Sequence, residues 1–288
     1  MNESELEIKE IVKKSYTEAV TKPNSGCCGS GNAKESMKGS LVKLAGYSAE
    51  ELKNLPSDSV ENAFGCGNPL AFAGVKEGEV VVDIGSGAGI DCLLAAKKVG
   101  ADGRVIGIDM TPIMIEKARE NARKAGISNV EFRLGDADRM PVENNSADWI
   151  ISNCVINLAP DKDKVFSEIA RVLKPGGQVS ITDIVTRGDL PQPIRENVEA
   201  LVGCLAGALD ETVYLEKMRK AGLVDVAVVN RIVYSGEQLL SLVGVEGSEA
   251  AGTGSSCGCG TMDLNIFKPY QNELNGKIWS TKITARKP

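Results

Sequence analysis

The chain has 288 residues, room for one large or two modest domains, and its 42% hydrophobic and 25% charged residues are the balance of a globular protein. A net charge of −6, with Lys and Arg interspersed among acids, excludes a nucleic-acid backbone as partner. No run approaches the roughly 20 apolar residues of a membrane span. There is no histidine, so imidazole can serve neither as general base nor as ligand, and the eight cysteines favour soft ligands instead.

Residues 3–20 predict a charged amphipathic helix and not a secretion signal, which implies a cytoplasmic protein whose thiols stay reduced. The stretch KPNSGCCGSGN follows as a flexible segment. In SAEEL, Ser48 and Glu51 form a capping-box pattern that starts a short helix. The pattern becomes regular from residue 79: strands are predicted over 79–85, 104–110, 129–136, 147–153 and 178–185. Helices are predicted over 90–100, 112–126 and 164–177, with Pro112 at a helix start and Gly126 at its end. Strands alternating with helices of this length specify a parallel sheet with right-handed crossovers. Beyond residue 190 the alternation loosens into helix patterns at 193–208 and 211–221 and a strand-like 224–234. EGSEAAGTGSSCGCG (246–260) reads as a mobile linker, and 261–269 as a late strand.

The sharpest motif is Asp83-Ile84-Gly85-Ser86-Gly87-Ala88-Gly89, placed after a strand and opening a helix. Glycines suit a tight turn whose backbone approaches a ligand closely, at the carboxyl ends of the strands. Asp109, ending the second strand with Met110 beside it, can accept hydrogen bonds from both hydroxyls of a ribose. Several details move the reading away from NAD. The spacing is G-x-G-x-G; Asp83 precedes the first glycine, where it suits a cationic amino group and repels a pyrophosphate; and Asp136 with Ala137, in GDAD, suits an adenine edge. Asn153 reads equally as a strand-end cap or as a contact to a methionine moiety.

With the LKPGG turn at 173–177, residues 75–185 resemble the class I S-adenosylmethionine methyltransferases. The stretch facing the acceptor reads Ser-Asn-Cys-Val-Ile-Asn-Leu (152–158), unlike the motif of amino-group methyltransferases. FGCGNPL (64–70), SNCVINLAPDK (152–162), GCLAGAL (203–209), YSAEELKNLP (47–56) and VVDIGSGAGID (81–91) together resemble the arsenite S-adenosylmethionine methyltransferases over about residues 45–230.

The resemblance implies an α/β fold, a Rossmann-like class I methyltransferase sheet with added α+β acceptor-binding and C-terminal segments. It divides the chain into an N-terminal helix and Cys-containing loop (1–44), a cofactor-binding domain (45–190), an arsenic-binding region (191–245) and a linker with C-terminal segment (246–288). It implies that Cys154 and Cys204 hold trivalent arsenic, with Cys66 as third thiol, and that methylated arsenicals are made for detoxification. Arsenic held by thiolates attacks the sulfonium methyl through its lone pair, so no proton leaves the nucleophile and no histidine base is needed. Thioredoxin or glutathione is implied as reducing partner, resolving a disulfide formed by Cys66 with Cys27 or Cys28, of which Cys28 is taken as the catalytic candidate. Cys257 and Cys259 capture arsenic or merely trap it.

Six of the eight cysteines also have a plainer reading. Cys92 is a small buried hydrophobe within its helix, and in isolation Cys154 and Cys204 read as core packing until their surrounding motifs reverse that. Cys66, between glycines, suits a loop. Cys257 and Cys259 lack the usual zinc spacing and a second pair. Two other functions remain in view: a carbon methyltransferase for a quinone- or sterol-type acceptor, and a non-enzymatic thiol protein that binds metalloids.

Overall fold

The computed structural model describes residues 3–21, 45–70, 73–197, 204–235 and 268–288. Helix α1 (Glu3–Thr21) is followed, past a segment outside the described residues, by the short helices α2 (Ala49–Lys53) and α3 (Ser57–Glu61). The capping box forms as its sequence predicts: Ser48 Oγ accepts from the Glu51 amide and the Glu51 carboxylate accepts from the Ser48 amide.

Strand and helix then alternate through β1 (Val80–Ile84), α4 (Ile90–Val99), β2 (Arg104–Asp109), α5 (Pro112–Ala125), β3 (Val130–Leu134), β4 (Ala147–Asn153), α6 (Lys162–Val172) and β5 (Leu173–Thr186). All neighbouring pairs among these strands are parallel. Gly126, at φ +67°, ends α5 in the left-handed conformation, and its amide reaches back to the Ala122 and Arg123 carbonyls. After β5 come α7 (Gln192–Arg195), β6 (Leu209–Asp210), α8 (Glu211–Lys220), β7 (Val224–Val233), α9 (Gln271–Leu274) and β8 (Ile278–Arg286).

The eight-stranded sheet has the order β3-β2-β1-β4-β5-β8-β7, with β6 on β5. β8 enters antiparallel between β5 and β7. Side chains alternate across the sheet, so β1 sends Val82 and Ile84 into the apolar layer under α6 and α8, and Val81 into the layer under α4 and α5. Order reverses between β1 and β4, the switch point at whose carboxyl ends ligands bind in such sheets.

Several sequence expectations are corrected. The helix predicted over 164–177 ends at Val172, and LKPGG opens β5 instead. Pro175 disfavours helical backbone at the residue before it. Over 193–208 the described helix is only Gln192–Arg195; Cys204 has φ +62°, which no helix accommodates, and 198–203 lie outside the described residues. Of the strand predicted over 261–269, residues 268 and 269 begin a 3₁₀ turn, Lys268–Tyr270, and the rest lie outside the described residues. The predicted flexible stretch and the 246–260 linker lie outside them too. Among the described residues, no helix is long and apolar enough to cross a membrane.

Candidate active site

At the switch point a cleft of about 1100 Å³, open to solvent, is walled by the β1–α4 turn, the ends of β2, β3 and β4, and the inner face of α1. Gly85 and Gly87 have φ of +72° and +51°. A Cβ on Gly85 would overlap the Val155 side chain, whereas a Cβ on Gly87 would meet nothing within 4 Å, so the turn lies flat against β4 on one side and bare toward the cleft on the other. Gly89 does not line the cleft. Its φ is +94° and a Cβ would press on Phe132 and Ala118, so it serves close packing of α4 on the sheet.

Asp109 lines the cleft, with Oδ2 accepting from the Gly87 amide at 3.0 Å and Oδ1 from the Thr111 amide at 2.8 Å. Burial raises its pKa, and these two amides oppose the rise. Met110, Asp136, Ala137 and Asn153 also reach the wall.

Asp83 does not reach the wall. It is 2% exposed beneath the turn, where it accepts the Cys92 thiol at 3.2 Å, and burial together with neighbouring Asp91 holds its pKa well above the ordinary carboxylate value. Strand alternation explains the correction: Asp83 follows Val81 onto the α4 face of β1. The cleft presents Asp91 instead, in the first turn of α4. Asp91 Oδ1 accepts from the Tyr47 hydroxyl at 2.8 Å and Oδ2 from Asn153 Nδ2 at 3.2 Å. Burial raises its pKa to about 6 despite both bonds. Sequence reasoning passed over Asp91 because an acid in a first helical turn reads as an ordinary dipole partner. Nothing in the sequence signalled Lys9, Val12 and Tyr16 either, which α1 lays across the cleft. Lys9 Nζ sits 2.9 Å from both Asp138 oxygens and 3.6 Å from Asp136.

The thiols meet at the floor beside this cleft. Cys66 and Cys154 are joined as a disulfide with Cα atoms 5.8 Å apart, and the Cys204 thiol donates to the Cys154 carbonyl at 2.6 Å. The expectation of reduced thiols throughout is therefore corrected for this pair, whose spacing the fold brings within disulfide range. Cys66 is paired here with Cys154 and not with Cys27 or Cys28; those two, with Cys257 and Cys259, lie outside the described residues. Cys154 and Cys204 have φ of +59° and +62°, two of four non-glycine residues so placed among those described. Backbone strain of this kind concentrates where a site demands it. Burial pushes the Cys204 thiol pKa up, as does the charge of Asp183, while a hydrogen bond with the Tyr16 hydroxyl and the charge of Lys162 oppose the rise. Cys92 is a buried core thiol, as predicted.

The donor set suits S-adenosylmethionine. Bare backbone at Gly87 admits close approach, and the Asp91 and Asp109 carboxylates in the wall suit a cationic amino group and a diol. Among the described residues, the buried Ser86 Oγ, Asn62 Oδ1 and Asp136 Oδ1 in the wall have no hydrogen-bond partner, which leaves acceptors for a polar ligand.

A parallel sheet with this order, an antiparallel strand inserted near its edge and a glycine turn at the switch point define the Rossmann-like methyltransferase class. A family model described as a methyltransferase domain matches residues 75–222, and the chain belongs to that family. An arsenite methyltransferase of Halobacterium salinarum is 44% identical over 211 residues, covering 70% of this chain and 54% of that protein. The human arsenite methyltransferase is 39% identical over 172 residues, covering 56% and 44% respectively. The chain thus spans about half the length of these curated relatives. Among solved structures, an arsenic(III) S-adenosylmethionine methyltransferase of Chlamydomonas reinhardtii is 32% identical with a TM-score of 0.59, over 86% of this chain and 72% of that one.

Proposed function

We propose that this protein transfers methyl groups from S-adenosylmethionine to trivalent arsenic held by Cys66, Cys154 and Cys204. The observation that carries the reading is the meeting of these cysteines, from three separate chain segments, at the floor of the cofactor cleft. The names of the relatives above support the same acceptor.

When bound, S-adenosylmethionine supplies an electrophilic methyl carbon on a sulfonium. The chain's own residues would hold it: Asp91, steadied by Tyr47 and Asn153, would receive the amino group, and Asp109 would receive the ribose. Tyr16 and Lys9 line the cleft from α1. With the Cys66–Cys154 disulfide first reduced by two electrons, three thiols displace the three hydroxyls of arsenous acid. Each thiol proton leaves with a hydroxyl as water, so no base is consumed, and binding overcomes the raised Cys204 pKa as it does for other thiolate ligands. Held by three thiolates, arsenic would keep a lone pair to accept the methyl that S-adenosylmethionine would supply, and methylation would leave it formally pentavalent. Two electrons must return it to the trivalent state. A small thiol such as glutathione, or thioredoxin, is the proposed source.

The test is methyl transfer from labelled S-adenosylmethionine to arsenite with excess thiol. Methylated arsenic made by the wild type, and lost in Cys154→Ser and Cys204→Ser, is the expected result. Cofactor binding without any arsenic product would point to a carbon acceptor of the quinone or sterol type.

A further inference from the structure

The loop that carries Cys66 is held by backbone bonds that do not involve its sulfur. Asn153 brackets Gly67, accepting from its amide at 3.2 Å and donating to its carbonyl at 2.5 Å. Ser180 Oγ on β5 donates to the Pro69 carbonyl at 2.7 Å. Lys98 Nζ donates to the Leu70 carbonyl at 3.1 Å, and further ties come from the far end of the chain. On β8, Ser280 Oγ donates to the Cys66 carbonyl at 3.1 Å, and Lys282 Nζ donates to the Asn68 and Pro69 carbonyls at 3.1 and 2.9 Å.

Lys282 is 4% exposed, a burial rare for lysine unless its ammonium is satisfied. β8 runs antiparallel to β5 with Lys282 opposite Thr182, and Thr182 leaves no room for a side chain at Gly67. The loop is thus pressed onto the sheet at Gly67 and tied down from Cys66 through Pro69. Carbonyls donate nothing, so the loop's buried oxygens need a donor, and Lys282 supplies one to two of them.

We propose that the C-terminal strand positions the acceptor thiols: Lys282, assisted by Ser280, holds the Cys66 loop so that its sulfur stays beside Cys154 after the disulfide is opened. The Lys282 bonds run to loop carbonyls, so it acts through the loop backbone. The arsenic consequence of this proposal rests on the function proposed above; the positioning itself does not. Burial also lowers the Lys282 pKa to about 8, while Asp91 nearby opposes that.

The test is the equilibrium of the full chain with a glutathione buffer, in which Cys66 and Cys154 thiols plus oxidised glutathione give the protein disulfide plus two reduced glutathiones. The Cys66–Cys154-linked peptide is quantified by mass spectrometry. If Lys282 sets the sulfur separation, Lys282→Met lowers the equilibrium constant roughly tenfold, the effect of losing a charged donor. Ser280→Ala lowers it less, and Lys282→Arg restores part of the loss. Arsenite affinity of the reduced protein falls in parallel for Lys282→Met, and that fall vanishes in a Cys66→Ser background, where a merely structural role would persist. An unchanged equilibrium constant in folded Lys282→Met, or an equal loss of arsenite affinity in both backgrounds, overturns the proposal. A lowered equilibrium constant in Lys282→Met, together with a wild type that binds no arsenite, would uphold the positioning and sink the arsenic reading instead.

Discussion

The cofactor half of the site and its thiol half are built in different ways. The cofactor half is local: Gly85, Gly87, Asp91 and Asp109 stand on consecutive turns of one β-α-β unit, and a single sheet edge aligns them. The thiol half is assembled from remote segments. Cys66 and Cys154 are 88 residues apart in sequence, and Ser280 lies 214 residues beyond the carbonyl it holds. Local construction tolerates change elsewhere, whereas remote construction makes every contributing segment necessary. Asn153 joins the halves, donating to Asp91 on one side and bracketing Gly67 on the other.

That division sets the expected losses. The largest falls on the thiol half alone: Cys204→Ser should abolish arsenite-dependent methyl transfer while cofactor affinity, measured by calorimetry, stays within about twofold, as for an independent site. A parallel loss of cofactor affinity would mean the halves are not separable. Gly85→Ala should be the costliest change in the cofactor half. Left-handed backbone costs an Ala about 1–2 kcal/mol and overlap with Val155 about 1–3 kcal/mol more, readable by urea denaturation.

Asp91→Asn should weaken cofactor binding by roughly tenfold to a hundredfold, the range for a lost charge-assisted bond, and leave arsenite affinity of the reduced protein unchanged. Asp83→Asn, beneath the turn, should show most of its effect in thermal stability; a larger effect on cofactor affinity than Asp91→Asn would reverse the assignment.

Beneath the thiols, Asp183 accepts from Tyr214 and from the Ile184 amide, and burial raises its pKa from 3.8 to about 7. Between those values the folded protein holds a proton that the unfolded chain has released, so this group makes stability fall as pH rises from about 4 to about 7 and leaves it level above. Asp183→Asn should flatten that part of a melting-temperature profile; an unaltered slope would assign it to other acids. The smallest effect should come from Lys9→Met, which loosens α1 over the cleft. A few-fold faster release of cofactor, followed by stopped-flow, is expected from loss of its part-buried ion pairs with Asp138 and Asp136.

Much of the cofactor half was legible in the sequence because local patterns carry it. The glycine spacing, the capping box at Ser48 and the proline and glycine bounds of α5 each rest on backbone preferences of a few adjacent residues. The inside of the turn was not legible: which of Asp83 and Asp91 faces the cleft depends on strand parity and on the packing of Cys92 and Tyr47, not on the motif itself. The cysteines were marked by their motifs, but their meeting, and the pairing of Cys66 with Cys154, follow from sheet order.

By itself, then, the sequence determined the alternation of strands and helices, the place of the glycine turn and the choice of sulfur over imidazole, because periodicity and residue chemistry are local properties. Only the tertiary structure decided that the last strand lies between β5 and β7, that Lys282 is buried under the Cys66 loop and that α1 crosses the cleft. Such pairings between distant segments are selected by burial and hydrogen-bond satisfaction across the whole sheet, and no short stretch of sequence encodes them.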